Sequence, residues 1–184
     1  GLVNGMHFIR GGGYKNVLVV GADVLSRYVD WRDRGTCILF GDGCGAVVLT
    51  ATEEVSECSL LGFDMHSDGS QNHHLTAKVC GAKVGKVWES DSEAGERTAY
   101  ENIGMNGQDV FKFAVRAVPM TIKESLKNAN MQPEEIDHLV LHQANQRIID
   151  AAAQRLGLGD DKVVSNIAEY GNTSAASVPL ALCE

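Results

Sequence analysis

The segment from His138 to Ile149, with the sequence HLVLHQANQRII, joins an apolar, β-prone half to a half with helical periodicity. Beyond its midpoint the apolar residues recur every three or four positions, at Ile148, Ile149, Ala152, Ala153 and Leu156. The pattern predicts a strand that leads directly into a helix, with His142 at the carboxyl end of the strand. In open α/β sheets, ligands and reacting groups collect at the carboxyl ends of strands, so this segment is a candidate site.

A second candidate strand end follows along the chain. The apolar residues from Val163 to Ile167 predict a strand, and Gly171-Asn172-Thr173-Ser174 comes shortly after it. Asn172 lies 30 residues after His142 (172 − 142), about the length of one strand–helix–strand crossover. We therefore expect the two side chains at neighbouring strand ends. Alone, His142 would more often be a core residue and Asn172 a turn residue. The pair, however, suits chemistry on a thioester or its enolate.

Composition narrows the class of protein. The 184 residues are 44% hydrophobic and 22% charged, which is enough for one domain with a real core. No run of 18 apolar residues predicts a membrane span, and the net charge of −8 argues against nucleic acid as a partner. The five cysteines have no CxxC spacing and are interpreted as reduced, mostly buried thiols in a reducing compartment. The missing initial Met and an end predicted to fall inside a helix suggest a fragment.

The other predicted elements place strands first and a β-α-β-α order afterwards. The first are a helix over 2–10 that ends at the connector Gly11–Gly13 and a strand over 16–23 buried on both faces. Strands over 37–40 and 46–50 follow around a tight glycine segment, and then a strand over 58–66. A surface excursion over 67–102 leads to a helix over 107–128 that Pro119 kinks or splits, and to a short helical start at Pro133. This order predicts a mixed, layered α/β fold.

A metal site is not predicted. His66, Asp68, His73 and His74 are the candidate ligands, but their spacing does not bring two of them onto one helix face. The surrounding residues are those of a polar loop. We expect no metal and no bound cofactor.

Three blocks of sequence carry a family resemblance. They are HQANQRI at 142–148, GNTSAAS at 171–177, and DRGT at 33–36 with FGDG at 40–43. Together they resemble β-ketoacyl-acyl carrier protein synthase III, especially its plastid and cyanobacterial members. The resemblance implies a thiolase-like, layered αβαβα fold, present in part: 1–66 as the end of the first α/β half, and 103–184 as most of the second.

The resemblance implies roles for particular residues. His142 and Asn172 match a catalytic pair that hydrogen-bonds the malonyl thioester oxygen as it becomes an enolate. Other matches are implied for CoA and substrate binding, at Arg34, Asn145, Met105, Gly107 and Phe111, and for docking of the acidic carrier protein, at Lys112, Arg147 and Arg155. The substrates implied are acetyl-CoA and malonyl-acyl carrier protein, and the assembly implied is a homodimer in the plastid stroma or the bacterial cytoplasm.

The family's nucleophilic Cys has no match here. In the family it lies a few residues before the position of Gly1, and the family's last strands would follow Glu184. We therefore expect the 184 residues alone to be inactive. Two alternatives stay open: a related chalcone-type or polyketide condensing enzyme, and a non-catalytic module that binds carrier protein or dimerises.

Overall fold

A computed structural model describes residues 1–52, 59–77, 79–80 and 99–184. The helices are α1 (Leu2–Arg10), α2 (Gly107–Ala129), α3 (Gln146–Leu156), α4 (Ile167–Tyr170) and α5 (Ser177–Ala181). The strands are β1 (Asn16–Val24), β2 (Asp42–Thr50), β3 (Leu75–Thr76), β4 (Val79–Cys80), β5 (Ala99–Tyr100), β6 (Gly104–Met105), β7 (Leu139–Val140) and β8 (Val163–Val164). The mixed α/β content predicted from the sequence is confirmed.

The longest strands, β1 and β2, form an antiparallel pair in which Asn16 lies opposite Thr50 and Val24 opposite Asp42. On one face of the pair, Gly5 of α1 lies against side chains that include Val17. Further along the same face, the segment that leads into α5 lies against the strand glycines. The two strands thus support the segment that contains Asn172.

The prediction that β1 is buried on both faces is wrong. Exposed and less exposed residues alternate along the strand, and Leu18 is 63% exposed. The reason is that the described chain packs on one face only. Cys44 lies on the open face of β2, so its interpretation as a buried packing thiol is also wrong.

Two predicted strands are absent from the described residues. Residues 37–40 form turns held by hydrogen bonds from Thr36 N and Cys37 N to the Asp33 carbonyl, and only Phe40 makes a β-bridge. Of the strand predicted over 58–66, Cys58 lies outside the described residues, and 59–66 pairs with no strand. Its carbonyls accept side-chain donors instead, including Asn128 Nδ2 at 3.0 Å from the Phe63 oxygen. Several apolar side chains of these segments are exposed, including Ile38 at 70% and Leu61 at 62%, so their composition does not reflect a buried strand in the described chain.

Three further boundaries differ from the sequence prediction. β2 begins at Asp42, so Gly43 and Gly45 of the predicted tight connection belong to the strand, while Gly41 precedes it. α2 remains one helix of 23 residues with Pro119 buried inside it, rather than two helices. β8 is shorter than the predicted 163–167, because Ile167 already begins α4. The predicted excursion over 67–102 is described only in part, and 81–98 lies outside the described residues.

The β7–α3–β8 unit agrees with the sequence prediction. β7 and β8 are parallel, with Leu139 opposite Val163, and α3 forms the crossover between them. The five apolar residues predicted to face the core from α3 are all buried. Leu139, Ala153 and Leu156 form a hydrophobic cluster that Ile122 of α2 also joins. This packing fixes the direction in which the loop after β7 leaves the sheet.

Candidate active site

His142 lies in the turn between β7 and α3, two residues after the strand ends. Its Nδ1 is 2.6 Å from the hydroxyl oxygen of Ser177, the first residue of α5. The next residue, Gln143, is fully buried and donates from Nε2 to the Leu141 carbonyl at 2.9 Å. Its Oε1 accepts from the backbone N–H of Asn166 at 3.1 Å. Gln143 therefore ties the turn that carries His142 to the end of β8.

Asn172 is held by its backbone against the segment that leads into β2. Its N–H donates to the Leu39 carbonyl at 2.8 Å, and its own carbonyl accepts from Gly41 N at 2.9 Å. Its side-chain Oδ1 accepts from the backbone N–H of Ser174 at 3.0 Å. Because a backbone N–H requires an acceptor, this bond assigns the amide oxygen and leaves Nδ2 as the free end.

A chain of hydrogen bonds links His142 to the loop that carries Asn172. The Ser177 hydroxyl, which contacts the imidazole, donates to the Ser174 carbonyl at 2.8 Å, and the N–H of Ser174 binds the Asn172 side chain. Ser174 has a φ of 52°, a left-handed conformation that a non-glycine residue adopts at a cost. The structure therefore brings His142 against the loop of Asn172. Asn172 follows α4 rather than the end of β8, so it does not lie at a strand end as the spacing predicted, and convergence of the two side chains stays a prediction.

Close backbone contacts fix this loop against the β1–β2 pair. A Cβ at Gly21 would lie 2.1 Å from the carbonyl oxygen of Ala175, and one at Gly41 would lie 2.2 Å from that of Tyr170. Both distances are too short for any side chain, so glycine is required at these two positions. Asp23 adds a hydrogen bond of 3.2 Å from the Ala175 N–H.

The surroundings of His142 favour the neutral imidazole. His142 as a residue is exposed to solvent, but part of its ring is covered by protein. This burial disfavours the charged imidazolium and lowers the pKa of His142 below the usual value. The Ser174 carbonyl raises the pKa and offsets part of this effect. With Nδ1 bound to Ser177, Nε2 is the nitrogen that remains for a substrate.

The predicted substrate residues lie at the start of α2. Met105 belongs to β6 and is half-buried, and Gly107 is the first residue of α2. Phe111 is half-buried one turn later, and the Arg147 guanidinium lies over its ring at 4.8 Å from the centroid. This cation–π contact brings a predicted substrate residue together with a predicted docking residue.

Two other predicted binding residues have different surroundings. Arg34 is exposed in the turn region before Phe40. Asn145 is the N-cap of α3, where its Oδ1 accepts from Arg147 N at 2.9 Å. Asn145 therefore has a structural role in the helix, and substrate contact through its other amide atom stays a prediction.

The three predicted docking residues lie along the α2–α3 pair. Lys112 forms an ion pair with Asp109 at 3.0 Å, and Arg155 donates to the Val115 carbonyl. Each of these charges is partly engaged by its own chain. Arg147 lies over the Phe111 ring, a contact that uses none of its N–H groups as hydrogen-bond donors to an oxygen, so they can bind an acidic partner.

Among the described residues, no hydrogen bond links a cysteine to His142, and Cys37, Cys44 and Cys183 are free thiols. No group of three or more His, Cys, Asp or Glu that could hold a metal occurs in this part of the chain. No helix within the described ranges is long and apolar enough to cross a membrane.

The sequence reasoning assigned no role to Ser177, Ser174 or Gln143, although all three lie in the motif blocks. A hydroxyl five residues after Asn172 has no signature of its own. Only the contact of α5 with the turn after β7 shows what it touches.

Comparison with known proteins gives two matches to one family. Residues 1–69 match the family described as 3-oxoacyl-[acyl-carrier-protein] synthase III, and 126–184 match its C-terminal part. A β-ketoacyl-[acyl-carrier-protein] synthase III from Microcystis aeruginosa is 53% identical over the whole chain, which covers 54% of that protein. A chloroplastic synthase III from Arabidopsis thaliana is 52% identical, with 46% of its length covered. The chain thus spans about half the length of these relatives.

Solved structures agree with the sequence matches. The crystal structure of the synthase III from Aquifex aeolicus VF5 superposes with a TM-score of 0.84 at 43% identity, covering 99% of this chain and 52% of the other. The corresponding structure from Pseudomonas aeruginosa PAO1 gives a TM-score of 0.84 at 40% identity, with coverage of 100% and 52%. The thiolase-like fold expected from the resemblance is confirmed.

Proposed function

The chain belongs to the 3-oxoacyl-[acyl-carrier-protein] synthase III family, and from this premise we propose an activity for the full-length protein that carries it. The protein condenses acetyl-CoA with malonyl-acyl carrier protein to acetoacetyl-acyl carrier protein, CoA and CO₂, and so initiates type II fatty-acid biosynthesis. The observation that supports this most is the hydrogen-bonded link between His142 and the loop of Asn172.

The reaction has two stages. A cysteine thiolate attacks the acetyl carbonyl, the bond to the CoA sulfur breaks, and CoA leaves as its thiol. Malonyl-acyl carrier protein then loses CO₂, and the electron pair of the broken C–C bond forms an enolate at the thioester. The enolate carbon attacks the acetyl carbonyl, and the cysteine sulfur leaves.

His142 and Asn172 act where negative charge develops, on the enolate oxygen. Asn172 is oriented for this role because its Oδ1 is occupied by Ser174 N, so that the Nδ2 donor points elsewhere. On the histidine, Nδ1 is occupied by Ser177, so that Nε2 faces the substrate. When the Ser177 hydroxyl donates its proton to Nδ1, the neutral ring carries its own proton on Nε2 and can donate it to the enolate oxygen. Donors fixed before the reaction stabilise the enolate without reorganisation, and removing one such donor costs roughly 10²–10³ in rate.

The test separates the two stages in the full-length protein. We expect His142→Ala and Asn172→Ala each to lower malonyl decarboxylation by roughly 10²–10³-fold, while acetylation by radiolabelled acetyl-CoA is largely kept. The matched controls are His138→Ala and Asn4→Ala, because both residues are exposed and lie outside the candidate site. Decarboxylation that survives both site substitutions would refute the proposed roles.

The nucleophilic cysteine is proposed to be none of the three described thiols, Cys37, Cys44 and Cys183. We expect the isolated chain to remain unlabelled by acetyl-CoA, because no described cysteine is hydrogen-bonded to His142. Stoichiometric labelling of the isolated chain would contradict this.

Docking of the acidic carrier protein is assigned to the α2–α3 surface of Lys112, Arg147 and Arg155. We expect Arg147→Ala to raise the KM for malonyl-acyl carrier protein about tenfold and to weaken its dependence on salt, because rim charges of this kind steer association. The KM for acetyl-CoA should not change. Lys123→Ala, at an exposed position on α2, is the control. An equal KM for the carrier protein in both variants would exclude Arg147 from the docking surface.

Membership in the family also supports proposals on the oligomeric state, the compartment and the substrate contacts of the full-length protein. We propose a homodimer in the plastid stroma or the bacterial cytoplasm, in keeping with relatives from cyanobacteria and a chloroplast. The substrate residues Arg34, Asn145, Met105, Gly107 and Phe111 are proposed to contact CoA or the acyl chain.

A further inference from the structure

Ser177 is the buried polar residue that touches His142. It is 1% exposed, and its hydroxyl oxygen lies 2.6 Å from Nδ1 of the imidazole. The same oxygen accepts from the backbone N–H of Gln143 at 3.3 Å and lies 2.8 Å from the Ser174 carbonyl oxygen, which competes with Nδ1 for the single hydroxyl proton. A single hydroxyl thus contacts the turn after β7 and the loop before α5.

These contacts orient the imidazole. His142 as a whole residue is exposed although protein packs around part of its ring, so the hydrogen bond at Nδ1 fixes an orientation that this partial packing leaves open. The second ring nitrogen can face a substrate in a fixed direction only if Nδ1 has a fixed partner. The hydrogen bond that one ring nitrogen of a histidine makes determines whether the other nitrogen carries a proton or accepts one.

We propose that Ser177 is a positioning residue for the synthase reaction: its buried hydroxyl anchors Nδ1 of His142 and so aims Nε2 at the enolate oxygen. This assignment rests on the proposed function of His142. Ser177 itself contacts no substrate.

A double-mutant cycle on malonyl decarboxylation tests the assignment in the full-length protein. We expect Ser177→Ala to reduce kcat about 10–100-fold through loss of orientation, with little change in KM. In a His142→Ala background, Ser177→Ala should have no further effect, because Ser177 acts only through the imidazole. A reduction of the same factor in both backgrounds would overturn the proposal.

Two further variants separate positioning from packing. Ser177→Thr retains the hydroxyl, so it should recover most of the activity lost in Ser177→Ala. Ser165→Ala is the matched control, because its hydroxyl also bonds a residue of α3, Gln146 Oε1 at 2.7 Å, but does not touch His142. If Ser177→Thr has no more activity than Ser177→Ala although both variants are folded, the hydroxyl has no positioning role.

A spectroscopic measurement keeps this test separate from that of the proposed function. The ¹⁵N resonances of the His142 ring report directly on the Nδ1 hydrogen bond, whether or not the protein is active. We expect the Nδ1 resonance to shift in Ser177→Ala and to stay unchanged in Ser165→Ala. A wild-type Nδ1 resonance characteristic of a ring nitrogen without a hydrogen bond would refute the assignment even if Ser177→Ala did not fold. If the wild-type resonance showed the Nδ1 hydrogen bond but the His142→Ala variant were fully active, the proposed function would fail instead.

Discussion

Substitution of Gly21 by alanine should damage a site to which Gly21 contributes no functional group. Gly21 lies in β1 and is buried against the loop before α5. An added Cβ would lie 2.1 Å from the carbonyl oxygen of Ala175 and 2.6 Å from its carbonyl carbon. Both partners are backbone atoms, so no side-chain rotation can relieve the overlap. The loop that carries Asn172 must therefore move away from β1.

The size of the effect follows from this distance. Restoring an ordinary contact requires a displacement of about 1 Å, and a misplacement of that size at a reacting centre can cost roughly 10²-fold in rate. Overpacking of this kind also lowers the free energy of unfolding by about 1–3 kcal/mol. Gly21→Ala should therefore reduce malonyl decarboxylation about 10²-fold at temperatures where the protein is fully folded.

The assay compares Gly21→Ala with Gly69→Ala in the full-length protein. An added Cβ at Gly69 meets nothing within 4 Å, so this variant controls for the change from glycine to alanine. Decarboxylation rates and urea unfolding curves are measured for both variants and the wild type. If Gly21→Ala stays within about threefold of the wild-type rate, the close contact between β1 and the loop does not position Asn172, and the reasoning fails.

Further predictions concern α3, the helix that follows His142, and the pKa of the His142 imidazole. Ile149→Ala should lower the free energy of unfolding by about 2–5 kcal/mol, measured by urea denaturation, because this side chain is 0% exposed. Asn145→Ala should cost about 1 kcal/mol through loss of the α3 cap, and Asn145→Asp should restore most of it, because a carboxylate also accepts from Arg147 N. Because the folded state lowers the pKa of His142 below 6.5, the unfolded state binds the proton more readily. The free energy of unfolding should therefore fall as the pH drops below about 6.5 towards the folded-state pKa, and His142→Ala should lose less stability over that range in urea titrations at several pH values.

The elements predicted well are those whose signal lies within one short segment. The five apolar positions of α3 repeat at helical spacing, and all five are buried. The strand before α3 and the turn that carries His142 follow from the same stretch of sequence. A prediction of this kind succeeds because one helix packs against one core, so that periodicity alone determines which face is buried.

The failures arise where an apolar segment does not join a sheet. Residues 37–40 and 59–66 have the composition of strands, but hydrogen bonds in these segments are made in turns or with side chains such as that of Asn128. Apolar composition alone determines neither burial, since Ile38 is 70% exposed and Leu61 62%, nor the partner that supplies the hydrogen bonds. In β1 the continuous apolar run predicted two covered faces, whereas the described chain covers one.

The two residues of the candidate site also differ in how far the sequence alone predicts their positions. His142 is placed by local sequence, but Asn172 is placed by contacts across more than a hundred residues, through Leu39, Gly41 and Gly21. Those contacts depend on backbone approach at glycines, which a single sequence does not reveal as pairs. The hydroxyl of Ser177 joins the two halves, since it bonds both to the ring of His142 and to the carbonyl of Ser174 in the loop of Asn172. A site built in this way tolerates change at exposed positions such as His138, but it is sensitive to the loss of one buried hydroxyl or the addition of one methyl group to a glycine of the supporting strands.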